Sequence, residues 1–372
     1  MEKKITVLPG DGIGPEVVEQ GLKVINAINQ SFDHNFELTE EDFGAIAIDK
    51  HGDPLPEKTL SACLSSDAIF LGAIGDPKYD NDPTLEVRPE QGLLKLRKSL
   101  ELFSNIRPIA TYDLLNDVSP LKNQLLNNVD FIIFRELTGG IYFGEKHLSD
   151  DKSHASDLCE YSEKEITRIA YQAFEAASNR RNKLTLIDKA NVLETSRLWR
   201  RVIQDISKEY PQIEVDYLFV DNAAMQIVLN PSQFDVILTE NMFGDIISDL
   251  ASVITGSLGM LPSASVGIKS ALFEPIHGSF PQAKGLDIAN PMAAILSVAM
   301  MYEHFGLFEE SDMIKRGVRW ALNNDIVTKD LSGKNEASAC SKVGDVVAWF
   351  IEEKGDLQIK REKSKVSLNC II

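Results

Sequence analysis

Two aspartates, Asp245 and Asp249, stand four residues apart in the segment FDVILTENMFGDIISDLAS, residues 234–252. An apolar run ends near Thr239, a glycine-containing turn follows, and the pattern predicts a helix opening around Gly244. A spacing of four puts both carboxylates on one helix face. A cation between them best relieves their repulsion, and oxygen-only ligands favour a hard ion, Mg²⁺ or Mn²⁺. Asp221, just after the apolar run 217–220, is a candidate third ligand. The competing reading makes Asp245 a helix N-terminal charge steadied by the macrodipole and Asp249 a solvated side chain. Spacing alone does not choose between them.

Arg97, Arg107 and Arg135 each lie beside apolar sequence, in LLKLR, NIRP and FIIFRE. An arginine directly after a four-residue apolar run is costly to bury unless it meets an anion. Guanidinium forks match carboxylates two bonds at a time, so three could hold a small diacid rigidly. Ordinary salt bridging, Arg135 with Glu136 for instance, explains any one of them alone. Tyr142 in TGGIYFG and Lys189 in IDKAN are candidates for proton delivery and proton removal. The alternatives are a packed loop aromatic and a surface charge.

The opening LPGDGIGPE, residues 8–16, spaces its glycines two and two, where a Rossmann fingerprint needs two and three. It marks a tight strand-to-helix connection with Pro15 in the first turn, and is weak evidence for a nucleotide site. Later, EPIHGSFP (274–281) and IANP (288–291) bracket a glycine-containing loop, where a lone His277 would usually be structural.

The elements that must position these residues alternate. Apolar runs at 5–8, 68–71, 131–134, 184–187, 217–220 and 236–238 read as strands, several apolar throughout as in parallel sheets covered on both faces. Helical stripes separate them: Val18, Leu22, Ile25 and Ile28; Ile166, Ile169, Ala170, Ala173 and Ala177; Leu198, Val202 and Ile206. The alternation predicts an α/β chain with open, mostly parallel sheets and helices on both faces. Ligands in such sheets sit at the carboxyl ends of strands, where the unusual polar residues fall. Residues 76–91, rich in Asp and Pro, read as a long loop, and residues 354–372 as a charged, solvated tail.

At 372 residues there is room for two α/β domains. A net charge of −18 argues against a nucleic-acid surface, which needs a clustered basic excess. Cys63, Cys159, Cys340 and Cys370 lack CxxC spacing, so neither a disulfide framework nor a zinc site is expected, in keeping with a reducing cytosol. Without a signal-peptide hydrophobic region or an apolar stretch of membrane-spanning length, the expectation is a soluble, cytoplasmic protein with no membrane partner.

Taken together over residues 3–353, GDGIGPE, RELTGGIYFGE, DKANVL, NMFGDIISDLAS and HGS…IANP resemble the metal-dependent β-decarboxylating dehydrogenases of hydroxy acids, which include isopropylmalate, isocitrate, homoisocitrate and tartrate dehydrogenases. The resemblance implies a non-Rossmann fold of two domains: residues 1–102 with 256–353, binding the cofactor, and residues 103–255, carrying metal ligands and the dimer interface. It implies a homodimer whose active sites borrow Lys189 and Asp221 from the partner. Arg97, Arg107 and Arg135 then bind substrate carboxylates, Asp221, Asp245 and Asp249 hold Mg²⁺ or Mn²⁺, Lys189 assists removal of the hydroxyl proton, and Tyr142 protonates the enol.

Glu90, Leu93 and Leu94 match the isopropylmalate type, in which paired leucines line an isopropyl pocket that Val192 completes across the dimer. The implied reaction is NAD-dependent oxidative decarboxylation of 3-isopropylmalate in leucine biosynthesis. A homoisocitrate or tartrate type, or a non-catalytic subunit of the same fold, are the alternatives. His277, Gly278, Ser279, Phe280, Pro281, Gln282, Ala289 and Asn290 correspond to the adenosine-binding loop. Gln282 replaces the aspartate usual in the isopropylmalate type, so repulsion of a 2′-phosphate is expected to be weaker.

Overall fold

A computed structural model describes residues 1–80, 85–333 and 335–354 of the chain. The charged tail beyond residue 354 and part of the 76–91 loop lie outside the described residues. The strands are β1 (Glu2–Gly10), β2 (Asn35–Glu40), β3 (Ala68–Ala73), β4 (Ser104–Ala110), β5 (Asp130–Glu136), β6 (Lys146–Leu148), β7 (Ala155–Asp157), β8 (Lys183–Asp188), β9 (Glu214–Phe219), β10 (Val236–Thr239), β11 (Pro262–Val266) and β12 (Ala271–Pro275). The helices are α1 (Gly14–Phe32), α2 (Ala45–His51), α3 (Glu57–Ser65), α4 (Pro77–Asp80), α5 (Pro89–Ser99), α6 (Asn123–Leu126), α7 (Glu163–Ser178), α8 (Glu194–Ser207), α9 (Val220–Leu229), α10 (Asn241–Ser252), α11 (Met292–His304), α12 (Phe308–Asn323) and α13 (Cys340–Glu352).

Ten strands form one sheet in the order β2-β1-β3-β12-β11-β4-β5-β10-β8-β9, and β6 pairs with β7 in a separate hairpin. The expected α/β class and mostly parallel pairing hold, with a difference at the centre. β11 runs antiparallel to both β12 and β4, and β4 antiparallel to β5. Short strands of Ser, Ala and Pro lack the apolar signature of a buried parallel strand, so β11 gave no signal in the sequence. Instead of separate sheets, a single sheet runs through the molecule.

Alternation along each strand assigns side chains to opposite faces. Ile5, Val7, Phe70, Ile132, Phe134 and Leu238 join one core, beneath α1, α7, α8 and α11 to α13. Phe131, Ile133 and Ile237 point the other way, into a core shared with α9 and α10, while Leu8, Ile69 and Leu71 meet α3 and α5.

Two boundaries shift at helix starts. The run 217–220 ends as a strand at Phe219, and Val220 opens α9. α10 begins at Asn241, earlier than Gly244, because the Glu240 carboxylate accepts from Phe243 N at 2.9 Å and caps it. The 76–91 stretch also contains α4 and the first turn of α5.

Candidate active site

The β4–β5 register sets Asn105 opposite Arg135 and Arg107 opposite Ile133, so both guanidinium groups leave the sheet on the face that α10 covers. Both arginines are buried, Arg135 to 5% exposure. Arg107 donates through Nε to Asn105 Oδ1 at 2.8 Å, and through Nη1 to Ser248 Oγ at 2.7 Å and Asp249 Oδ1 at 3.0 Å. Arg135 binds Asp245 Oδ1 through Nη1. Arg97, on the preceding helix α5, pairs with Glu274 at 3.0 Å, leaving its buried Nε without a partner. Burial drives the Arg135 pKa down to about 10, and the charges of Arg107 and Arg97 push the same way despite Asp245. Burial likewise lowers Arg107. A buried, mutually repelling cluster of cations gains most from an anion.

The strand β5 runs into a tight loop that delivers Tyr142. Glu136, fully buried, accepts from Thr138 N, Thr138 Oγ1, Gly139 N and Arg168 Nη2. The Tyr161 ring lies so close under Gly139 and Gly140 that a Cβ on Gly140 would sit 2.3 Å from its hydroxyl. Tyr142 then projects from the turn Gly140–Tyr142 and donates to Asp245 Oδ2 at 2.9 Å. Burial first, and that bond second, raise the phenol pKa.

Lys189 follows β8, and its Nζ meets Asp221 Oδ1 at 2.6 Å in the first turn of α9. That bond holds the Asp221 carboxyl below its ordinary range. Among the described residues no hydrogen bond or ion pair joins this couple to Asp245 or Asp249 within one chain. Glu90, Leu93, Leu94 and Arg97 fall at i, i+3, i+4 and i+7, on one face of α5. Leu93 is half-buried, while Leu94 and Val192 are exposed.

Beyond Glu274 the chain enters the 277–290 loop. His277, Gly278, Phe280, Ala289 and Asn290 line a cleft of about 570 Å³, together with Ile13, Leu258, Gly259, Ile288, Lys329 and Asp330. Ser279, Pro281 and Gln282 stand beside it: the Ser279 carbonyl accepts from Ile13 N at 2.8 Å, and Gln282 is exposed in the turn Pro281–Ala283. Gly12 allows that approach, since a Cβ there would sit 1.9 Å from the Ser279 oxygen. So the opening motif braces this loop. Ile13, Lys329 and Asp330 gave no separate signal in the sequence.

The donors fit the groups the sequence suggested. Asp245 and Asp249 offer carboxylate oxygens alone, the chemistry of a hard divalent ion. Among the described residues no three His, Cys, Asp or Glu side chains gather around one point, so an ion held by this pair would need ligands from substrate, water or another subunit. In the cleft, the buried His277 Nε2 lacks a partner among apolar walls of Phe280, Ile13 and Ile288, which suits a flat, polar-edged ring system.

An α/β protein holding a small, multiply charged anion is the class that this scaffold and its cationic cradle define. The family model described as isocitrate/isopropylmalate dehydrogenase matches residues 4–347. A 3-isopropylmalate dehydrogenase of Bacteroides fragilis is 50% identical over 352 residues, covering 95% of this chain and 99% of that one. Its counterpart in Lactococcus lactis is 53% identical over 336 residues, covering 90% and 95%. Among solved structures, isocitrate dehydrogenase from Methylococcus capsulatus superposes with a TM-score of 0.83 at 34% identity, covering 94% of this chain and 99% of that one. The chain belongs to the isocitrate/isopropylmalate dehydrogenase family.

Proposed function

We propose that this chain catalyses the NAD-dependent oxidative decarboxylation of 3-isopropylmalate to 4-methyl-2-oxopentanoate in leucine biosynthesis, as a cytoplasmic homodimer requiring Mg²⁺ or Mn²⁺. The observation that carries the reading is the convergence of buried Arg107 and Arg135 with Arg97 beside Asp245 and Asp249, next to an α5 face that offers Leu93 and Leu94. Burying an isopropyl group there contributes about 2 kcal/mol, whereas a third carboxylate on the same leucines would lie unpaired.

Arg97, Arg107 and Arg135 fix the malate carboxylates. A divalent ion held by Asp245, Asp249 and Asp221 of the partner subunit would acidify the C2 hydroxyl and stabilise the enolate charge. Lys189 of the partner subunit, directly or through the Asp221 carboxylate it pairs with, takes the C2 hydroxyl proton; NAD, when bound, would supply the hydride acceptor. CO₂ then departs from C3, its bonding electrons forming the enolate, and Tyr142 supplies the proton to that carbon. Residues 277–290 would seat the adenosine half of NAD.

Support for the dimer comes from Met225, Val228, Leu229 and Ile246, which leave the packed pair α9 and α10 with an exposed apolar surface. The two-domain reading, 1–102 with 256–353 against 103–255, is supported by the sheet order: the first five positions come from the chain ends and the last five from the middle. The test is an assay with 3-isopropylmalate, isocitrate and tartrate, with NAD or NADP and with metal added or chelated. Turnover of 3-isopropylmalate with NAD, lost on chelation, is the expected result; preference for a tricarboxylate overturns the leucine-pocket argument.

A further inference from the structure

Asn241 carries no charge and cannot move a proton, and its carbonyl oxygen is taken up by Arg135, yet it stands at the crossing of the site's contacts. It opens α10 and is 1% exposed. Its Oδ1 accepts from Arg135 Nε at 3.2 Å and Nη2 at 3.0 Å. Its Nδ2 donates to the Gly139 carbonyl at 3.2 Å, and its backbone N–H donates to the Tyr161 hydroxyl at 3.0 Å. One amide therefore engages the substrate-binding guanidinium on one side and, on the other, the turn that leads to Tyr142.

We infer that Asn241 is a positioning residue that sets the Arg135 guanidinium and the Tyr142 phenol at a fixed separation. This rests on the proposed function of the site. A guanidinium has two edges suited to an anion. With the Nε side given over to Asn241, Arg135 is left to grip a carboxylate through its Nη end, the end that also meets Asp245. The orientation of the amide is forced, because a flip would set Nδ2 against the guanidinium and Oδ1 against the Gly139 oxygen. Gly139 has little freedom of its own: its N–H is bound to Glu136 Oε2 at 2.7 Å, and a Cβ there would fall 2.7 Å from the Tyr161 ring. A shift of Asn241 is thus transmitted to both functional groups at once.

The two halves of the amide separate in two variants. Asn241→Asp keeps an acceptor for Arg135 but loses the N–H to Gly139; Asn241→Ala loses both. With 3-isopropylmalate and NAD, kcat is expected to fall about 10- to 100-fold in each, the scale of a misplacement near 1 Å. KM for 3-isopropylmalate should rise more in the alanine variant, and the NAD dissociation constant should stay at the wild-type value in both. If either variant fails to fold, Tyr161→Phe removes the oxygen that holds the Asn241 backbone and also meets the Glu240 cap of the same helix, and it should lower kcat in the same direction. Unchanged kcat, or kcat and KM altered equally in the two Asn241 variants, overturns the inference while the function stands. A wild-type enzyme inactive on 3-isopropylmalate overturns both.

Discussion

The Tyr142 hydroxyl donates to Asp245 Oδ2 at 2.9 Å while Arg135 occupies the other oxygen of the same carboxylate. A single aspartate on α10 thereby aims the phenol and steadies the cation beside it. The Arg135 guanidinium also lies 5.9 Å from the centre of the Tyr142 ring. The phenol is thus oriented by contacts within the chain itself.

Tyr142→Phe removes the proton and keeps the ring. The expected outcome is a kcat lower by roughly 10²- to 10⁴-fold, the usual contribution of a general acid, with KM for 3-isopropylmalate close to wild type. Steady-state kinetics at saturating NAD decide it, and wild-type kcat would remove Tyr142 from the mechanism.

Arg135→Lys keeps a positive charge and loses the fork. Lysine cannot satisfy Asn241, Asp245 and a carboxylate in the same planar geometry. KM for 3-isopropylmalate should rise by at least about 10-fold, since a lost charge-assisted bond costs about 1.5–3 kcal/mol. Isothermal titration with substrate checks the binding half of that effect.

Gln282 is exposed and neutral, and in the proposed adenosine-binding loop it offers no charge to repel a 2′-phosphate. The wild-type protein should use NADP measurably, and Gln282→Asp should lower kcat/KM for NADP while leaving NAD little changed. A wild type wholly inactive with NADP would show that other groups of the cleft exclude it.

Burial holds the His277 imidazole below its ordinary value, so the fold favours the neutral ring. The unfolded chain takes up a proton near pH ~6.5 and the folded one only lower. The associated stability is present above that pH and declines as pH falls through the window beneath it. Urea midpoints at pH 7.5 and 5.5 should therefore fall further in wild type than in His277→Gln. Equal losses would place the acid sensitivity elsewhere.

Much of this was legible beforehand because the chemistry is local. Asp245 and Asp249 share a helix face by spacing, and FIIFRE delivers Arg135 from a buried strand whatever lies around it. The small-residue strand β11 was not legible, since Ser263 and Ser265 carry no apolar period. Nor was the bracing of residue Ser279 by Ile13, a contact between backbones that no side chain announces. The pairing of Arg97 with Glu274 joins residues 177 apart in the chain, and only the sheet brings them together. Asn241 stood in plain sight within NMFGD, but an amide at a helix start reads first as a cap.

The alternation of β4 and β5 ties two properties that are usually thought separate. Ile106 and Phe134 face each other across the strands, and their chain neighbours Arg107 and Arg135 emerge on the reverse side. Loosening the oily layer behind the sheet would tilt the strands and misalign the guanidinium groups in front of it. With Arg107 and Arg135 in their proposed roles, selection for substrate recognition reaches residues that never see the substrate, and a conservative trim such as Phe134→Leu changes the ligand grip as well as the interior.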